Sequence, residues 1–396
     1  MGRIGIFGGT FNPIHKGHLL AISEFQRLLA LDTVLVIPAA VPPHKSLPAR
    51  SPDGALRLAM VQAATAHLPY VTVSDLEMQR PGLSYTSDTL AQIAKEHPED
   101  TLFFLMGSDS FLAFSHWHCP QEICRLATLV CFHREKDDME QLLRQKQELE
   151  QQYQARIQIL ENQFLAMSSS TVRRMAFFGC AKDYVSQPVL DILQQHGLYG
   201  IGASWEHLPM DELQEVSLSL TKAKRVPHVI GCAQTAMELA KRFGADPILA
   251  GRAGILHDVT KALDGQEQLR LCDHFAMQLS DFERRNPKLL HAKTGAAVAH
   301  YIFGEADIVC DAIYWHTTGK ANMTTMEKIL YIADYMEPNR DFPGVEILRQ
   351  QVQTDLDAAM LTGLEMTLTL LRQQGKEIDP DSRAARDYLY QERNKP

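Results

Sequence analysis

Along the first half of the chain, short β-branched or apolar runs alternate with stretches whose apolar residues fall three and four apart. The runs are Arg3 to Phe7, Thr33 to Ile37, Tyr70 to Val73, Leu102 to Met106 and Ala127 to Phe132. The amphipathic stretches run from about Gly17 to Ala30, over Ala55 to Ala66, and onward from Asp88. Short strands separated by helices of this length predict a parallel sheet wound with crossover helices, an α/β doubly wound architecture. The polar stretch Asp137 to Gln154, rich in Glu, Gln and Lys, reads as a solvated helix. After Leu198 to Gly202 the β-branched runs thin out. Thr235 to Phe243, Ala292 to Phe303, Ile308 to Tyr314, Met326 to Tyr335 and Leu356 to Arg372 then carry helical spacing almost to the end, which predicts an all-α helical bundle. The change of texture divides the chain into expected domains at residues 1–202 and 203–396.

Composition narrows the setting. With 396 residues, 45% hydrophobic and 22% charged, the chain suits globular protein and has length for two cores. Net charge is −9 and neither half is basic, so a nucleic-acid partner is not expected, and an anionic ligand would be a small nucleotide held by a few placed cations. The seven cysteines form no CxxC pair and sit mostly inside apolar runs, as reduced buried thiols do. Together with the absence of any apolar run of ~18 residues, this predicts a cytoplasmic protein with no membrane partner. Composition leaves the oligomeric state open, a homodimer being one option.

The first candidate chemistry follows the first strand: Gly8-Gly9-Thr10-Phe11-Asn12-Pro13-Ile14-His15-Lys16-Gly17-His18 opens a helix where a parallel sheet binds phosphates, at unpaired N–H groups and the positive end of the helix dipole. It is neither GxGxxG nor GxxxxGK[ST]. In place of a P-loop lysine stand His15 and His18, and two imidazoles on one phosphate suit nucleotidyl transfer, where charge grows on the phosphate oxygens and little covalent work is needed. Farther on, Gly107-Ser108-Asp109 ends an apolar strand where a carboxylate can take ribose hydroxyls, and Ser168 to Arg173 is a hydroxyl-rich turn leading to a guanidinium. Taken singly, the latter is a plain helix cap, and Trp117 is as well suited to core as to stacking on a flat ring.

The His15/His18 segment resembles the signature of HxGH-type nucleotidylyltransferases, whose fold is Rossmann-like. Pro42-Pro43-His44-Lys45, Glu77 with Arg80, Ser84-Tyr85-Thr86-Ser87-Asp88-Thr89-Leu90, Gly107-Ser108-Asp109, Phe114 with Trp117 and Met167 to Arg173 are similar to bacterial nicotinate mononucleotide adenylyltransferases. The resemblance implies transfer of AMP from ATP, with Mg²⁺, to nicotinate mononucleotide, giving deamido-NAD and pyrophosphate. It assigns His15 and His18 to catalysis. It assigns Gly8, Gly9, Thr10, Phe11, Lys45, Thr86, Gly107, Asp109, Trp117, Ser169, Ser170 and Arg173 to ATP and substrate, with Arg173 preferred over Arg174. A backbone N–H near Thr86 would reward the nicotinate carboxylate and leave an amide unpaired.

In the second half His228, His257-Asp258, His291, His316 and Asp334 are spread over separate predicted helices, an arrangement able to hold a borderline or hard cation with open positions. This order resembles the HD metal-dependent phosphohydrolases. Arg225 to His228, Leu256 to Lys261, Leu289 to His291, His316-Thr317-Thr318-Gly319 and Ala333 to Arg340 are similar to HD-type symmetrical bis(5′-nucleosyl)-tetraphosphatases. The resemblance implies His228, His257, Asp258 and Asp334 as ligands of iron or another divalent transition metal, with Asp258 also catalytic. It implies His291 and His316 as second-metal or phosphate contacts, and Arg225, Lys261, Thr317, Thr318 and Arg340 as polyphosphate contacts. Val259-Thr260 departs from the bulkier aromatic expected after the HD pair and reads as a packing variation. Two alternatives stay open for this half: a nucleotide-sensing module that adjusts the first site, or hydrolysis of another nucleotide.

Overall fold

In the first unit six parallel strands follow one another with helical crossovers: β1 (Arg3–Gly9), β2 (Thr33–Pro38), β3 (Val71–Val73), β4 (Thr101–Gly107), β5 (Ala127–His133) and β6 (Ile157–Glu161). The structure is a computed structural model and describes residues 2–43, 47–48, 51–133, 138–161 and 167–395. Its packing separates Met1–Ala203 from Ser204–Pro396. The strand order is β3-β2-β1-β4-β5-β6, so β1 lies at the centre and the winding reverses between β1 and β4. Register pairs β1 with β2 as far as Gly9↔Pro38 and β4 with β5 as far as Gly107↔Phe132, whereas β1 and β4 pair only to Ile6↔Phe104. Beyond that point the two central strands part at their C-terminal ends, which is where open parallel sheets bind ligands.

The helices of this unit are α1 (Lys16–Leu29), α2 (Gly54–Thr65), α3 (Thr86–Glu96), α4 (Ser108–Leu112), α5 (Pro120–Leu126), α6 (Met139–Tyr153), α7 (Ser169–Phe177) and α8 (Gln187–Gln195). Side-chain caps fix several starts: Asp53 accepts from Leu56 N, Asp138 from Glu140 N and Gln141 N, and Ser168 from Thr171 N.

Two details differ from the sequence expectation. α6 is not merely solvated: Leu142 and Leu149, seven residues apart on one stripe, are fully buried in the core, and the abundance of Glu and Gln on the other faces hides that narrow stripe. Directly after α6, Ile157–Glu161 forms a sixth, edge strand that periodicity does not reveal, its alternation being only five residues long.

The second unit is helical: α9 (Met210–Leu220), α10 (Val226–Phe243), α11 (Pro247–Leu256), α12 (Gly265–His274), α13 (Asp281–Arg285), α14 (Leu290–Tyr301), α15 (Asp307–Trp315), α16 (Thr325–Met336), α17 (Val345–Gln351), α18 (Leu356–Gln373) and α19 (Pro380–Arg393). α10 starts nine residues before the expected Thr235, because Pro227 occupies the first turn, where its missing N–H costs nothing. α10 packs against α11 and α16, and α14 against α15, which brings the histidine-bearing ends together. Of the cysteines only Cys119 is exposed, and none is bridged. No helix among the described residues is long and apolar enough to cross a membrane.

Candidate active sites

The first site forms at the parting of β1 and β4. Gly8 and Gly9 are the last residues of β1 rather than part of a turn, and the chain turns at Phe11, whose backbone takes φ +46°. The Phe11 ring is buried, edge-on to Phe7 at 5.5 Å and to His18 at 5.1 Å, so it supports the His18 imidazole from behind. His15 is the N-cap of α1 and closes a reciprocal box with His18: its side chain accepts from the His18 backbone N–H, while His18 Nδ1 accepts from the His15 N–H at 3.3 Å. That second bond places the lone pair on Nδ1. A neutral His18 therefore carries its proton on Nε2, as a donor.

Other parts of the site are tied to this loop. Arg173, in the first turns of α7, donates to Asn12 O at 2.7 Å and to Ser170 Oγ at 3.1 Å, and Ser169 Oγ donates to Pro13 O at 3.0 Å. Burial lowers the Arg173 and Arg174 pKa values. Thr86 is the first residue of α3, whose leading N–H groups have no acceptor inside the helix. Gly107 caps α4, which begins Ser108-Asp109, with Asp109 exposed. Trp117 rests one face on the core, edge-on to Phe104 at 6.1 Å and tilted to Phe114 at 5.5 Å. Lys45 lies outside the described residues.

Several supports were not read from the sequence. Arg57 is buried and donates to the carbonyls of Thr10, Ala39 and Ala40, clamping the loop after β1 to the end of β2. Tyr199 donates to Asn12 Oδ1 at 2.5 Å, and His118 stacks on Tyr85 at 4.2 Å. Each is an isolated residue far in sequence from what it touches, with no spacing pattern to betray it.

The second site gathers the expected residues from five helix ends. His228 Nε2 lies 3.2 Å from His257 Nε2, 3.1 Å from Asp334 Oδ1 and 3.8 Å from Asp258 Oδ2. His257 Nε2 is 3.6 Å from Asp258 Oδ2, and His257, Asp258 and His316 also offer ligand atoms within 4.8 Å of one another. The tautomers are constrained. His257 Nδ1 donates to Gly254 O at 2.7 Å, His291 Nδ1 to Lys288 O at 2.7 Å and His316 Nδ1 to Ile313 O at 2.6 Å, leaving the three Nε2 atoms as lone-pair donors. The bare Nε2 of His257 faces Asp258 Oδ2 at 3.6 Å and Asp334 Oδ1 at 3.8 Å, lone pairs that repel unless a cation lies among them, and these are spacings that neighbouring ligands take around one ion with bonds of about 2.1 Å. The residues present therefore fit a divalent metal.

Electrostatics agree with that use. Burial lowers the pKa of His257 and His291 and brings His316 down to about 4, so the rings stay neutral and ligating near pH 7. Burial opposes ionisation of Asp258 and Asp334, but the neighbouring histidines, with Lys261 for the former and Arg340 for the latter, hold both below the usual carboxylate range. Arg225 pairs with Asp258, and Arg340 donates to Asp334 Oδ1 at 2.6 Å. Lys261 Nζ donates to His291 Nε2 at 2.8 Å, and Thr317 Oγ1 lies 3.3 Å from His291 Nε2 and 3.2 Å from His316 Nε2. Thr318 turns away instead and donates to Gly319 O. Thr260 is no simple packing variant: its buried hydroxyl donates to His291 O at 3.0 Å and fixes the backbone of that histidine.

Residues 6–175 match the cytidylyltransferase-like family and residues 225–339 match the HD domain, so the chain joins a nucleotidyltransferase to an HD-type hydrolase. It is similar to a probable nicotinate-nucleotide adenylyltransferase of Clostridium perfringens, 32% identical over 200 residues that cover 50% of this chain and 98% of that one. It is also similar to a symmetrical bis(5′-nucleosyl)-tetraphosphatase of Halalkalibacterium halodurans, 42% identical over 178 residues covering 45% of this chain and 94% of that one. A probable nicotinate-nucleotide adenylyltransferase of Geobacter metallireducens is 48% identical over 132 residues, 33% of this chain, and the match spans 61% of that relative. The chain belongs to the nicotinate-nucleotide adenylyltransferase family and, through its HD half, to the symmetrical bis(5′-nucleosyl)-tetraphosphatase family.

Proposed function

We propose that one chain performs two reactions: it transfers AMP from ATP to nicotinate mononucleotide, and it splits diadenosine tetraphosphate at its central bridge into two ADP. The observation that carries the pairing is the completeness of both residue sets, the reciprocal His15/His18 cap in one unit and the His228, His257, Asp258, Asp334 cluster in the other.

In the first reaction ATP arrives as its Mg²⁺ complex, a phosphate oxygen of nicotinate mononucleotide attacks the α-phosphorus, and pyrophosphate leaves. His18 donates from Nε2 to the α-phosphate as charge accumulates, and His15 steadies it. Arg173 with Ser169 and Ser170, and Lys45, hold the β- and γ-phosphates, while Gly8 to Phe11 offer backbone to the nucleotide. Asp109 takes ribose hydroxyls. Thr86 and Trp117 receive the nicotinate carboxylate and ring.

In the second reaction His228, His257, Asp258 and Asp334 would hold the metal. Bound there, iron or another divalent transition metal supplies a Lewis acid and lowers the pKa of water. Arg225, Lys261 and Arg340 draw the polyphosphate in, and Thr317, with His291 and His316 behind it, orients the phosphoryl group under attack.

The test is product analysis on the full chain prepared anaerobically with iron or manganese. Deamido-NAD and pyrophosphate should form from nicotinate mononucleotide and ATP. Diadenosine tetraphosphate should give ADP alone. Release of AMP with ATP would mean asymmetric cleavage and overturn the second assignment, and absence of deamido-NAD would overturn the first.

A further inference from the structure

One histidine of the metal cluster is held differently from the other three. His257, His291 and His316 each donate Nδ1–H to the backbone carbonyl three residues earlier. His228 instead has its Nδ1 3.1 Å from Oε1 of Glu337, a residue 109 positions away and only 1% exposed. The second oxygen of that carboxylate is already committed: Glu337 Oε2 accepts from Asn339 N at 2.7 Å and from Asn339 Nδ2 at 2.8 Å. Asn339 Nδ2 in turn donates to Pro227 O at 3.0 Å, next to His228 in the chain. The backbone of Glu337 is fastened as well, its carbonyl accepting from Arg349 at 2.9 Å and from Arg340 N at 2.9 Å. Room for the carboxylate against α10 exists because position 231 is glycine: a Cβ there would overlap Glu337 Oε2 and reach Asn339 Nδ2 at 3.0 Å.

We propose that Glu337 is the positioning residue for the His228 ligand, fixing its proton on Nδ1 so that the Nε2 lone pair faces His257 and Asp334. A carboxylate only accepts, so the nitrogen beside Glu337 carries hydrogen, whereas Nε2, equally 3.1 Å from Asp334 Oδ1, is the one whose proton a cation seated among the ligands displaces. An anionic acceptor also makes the ring a stronger donor to a cation than a carbonyl would. This rests on the metal reading given above, and the two can fail separately.

Glu337→Gln makes the device visible. The amide has one acceptor oxygen, and the two N–H groups of Asn339 claim it. The amide NH2 is then turned toward His228 Nδ1, which must accept, and the ring proton moves to Nε2, where it blocks the lone pair. Two measurements on the full chain decide the matter. Long-range ¹H–¹⁵N NMR of the metal-free protein, labelled at histidine, should show hydrogen on His228 Nδ1 in wild type and on Nε2 alone in Glu337→Gln. Zn²⁺ titration against a chelator should show affinity reduced on the order of 10–100-fold in the same variant. Gly231→Ala, which displaces the carboxylate without touching its chemistry, should lower Zn²⁺ affinity in the same direction and serves where Glu337→Gln fails to fold. Unchanged tautomer and unchanged Zn²⁺ affinity in Glu337→Gln would overturn the proposal, as would wild-type affinity in Gly231→Ala. Should wild type carry the Nδ1 proton, lose it to Nε2 in the variant and yet bind no Zn²⁺, the positioning stands and the metal reading falls.

Discussion

The imidazoles of His15 and His18 lie stacked, centroids 3.6 Å apart and planes 22° from parallel, each satisfying a backbone donor of the other. A helix start is ordinarily capped by Ser, Thr, Asp or Asn. Here the cap is made from the groups assigned to the chemistry, so the ends of both side chains are aligned before any ligand arrives, and that alignment adds no ordering cost at the moment of reaction.

His18→Ala removes the Nε2–H donor while leaving the His15 side chain as acceptor for the α1 terminus. Adenylyl transfer should lose on the order of 10²–10³ in kcat, and ADP release from diadenosine tetraphosphate should be unchanged. Steady-state rates of both reactions on the same preparation check this, and near wild-type formation of deamido-NAD would remove His18 from the phosphate.

Gly17→Ala offers a gentler test of alignment. A Cβ at Gly17 would stand 3.1 Å from His15 Nδ1 and 3.3 Å from its Cε1, closer than side chains ordinarily approach, so the ring must shift by a few tenths of an ångström. Alanine also favours a helix over glycine by up to about 1 kcal/mol. The expected result is a several-fold fall in kcat for adenylyl transfer with no loss of thermal stability, measured by kinetics and calorimetry. Equal kcat would show that the stacking is not needed for rate.

How much of this was legible beforehand depends on the range of the interaction. The crossover sheet and the His15/His18 segment are local: a 2-residue or 3.6-residue period and an unbroken motif contain them. His257-Asp258 was readable because adjacent ligands recur with other histidines on successive helices. Arg57 and Tyr199 act through contacts 17 to 187 residues away, on carbonyls or a single side-chain atom, and nothing in their neighbourhoods marks the partner. Leu142 and Leu149 of α6 fell to a different cause, a buried stripe too narrow to show through a polar composition.

The nicotinate end of the first site should discriminate by charge rather than by shape. Thr86 N–H at the start of α3 has no acceptor within the helix, so a carboxylate would meet it with a charged oxygen whichever way it turns, whereas an amide has a single neutral oxygen and an NH2 that cannot accept. Nicotinate mononucleotide should exceed nicotinamide mononucleotide in kcat/KM by about two orders of magnitude, within the range of sites that read a substrate by a placed polar partner. Equal kcat/KM for the two substrates would contradict the placement of Thr86.

A pH dependence follows from Glu77. Its buried carboxyl accepts from Thr89 Oγ1 at 2.8 Å, and burial, opposed by hydrogen bonds from Thr89 and Ser84 and by Arg80, raises its pKa above the ordinary 4.5. The native state then binds more protons than the unfolded chain at pH values between the two pKa values. Stability contributed by Glu77 is therefore full below about pH 4.5 and is lost as pH rises through the native value. Glu77→Gln should flatten this decline. Hydrogen exchange of the β4 amides across pH 4.5 to 8, corrected for intrinsic rates, reads it, and parallel profiles for wild type and variant would exclude Glu77 as the source.

Asp258 sits where three roles meet: it lies 3.6 Å from the Nε2 atoms of both His257 and His291, and it pairs with Arg225. Removing it deletes one proposed ligand and leaves Arg225 without its anion among the buried histidines. Asp258→Ala should therefore abolish metal-dependent ADP release and bind Zn²⁺ more weakly. Asp258→Asn keeps the volume but offers a neutral oxygen, so it should retain the fold and part of the metal while still losing most of the rate. Deamido-NAD synthesis should survive in both variants, because every residue assigned to it belongs to residues 1–203. Loss of both activities in Asp258→Asn with helical content intact by circular dichroism would mean that the two reactions are coupled through the chain. Full ADP release by the same variant would show that the Asp258 charge is needed neither to hold the metal nor to neutralise Arg225.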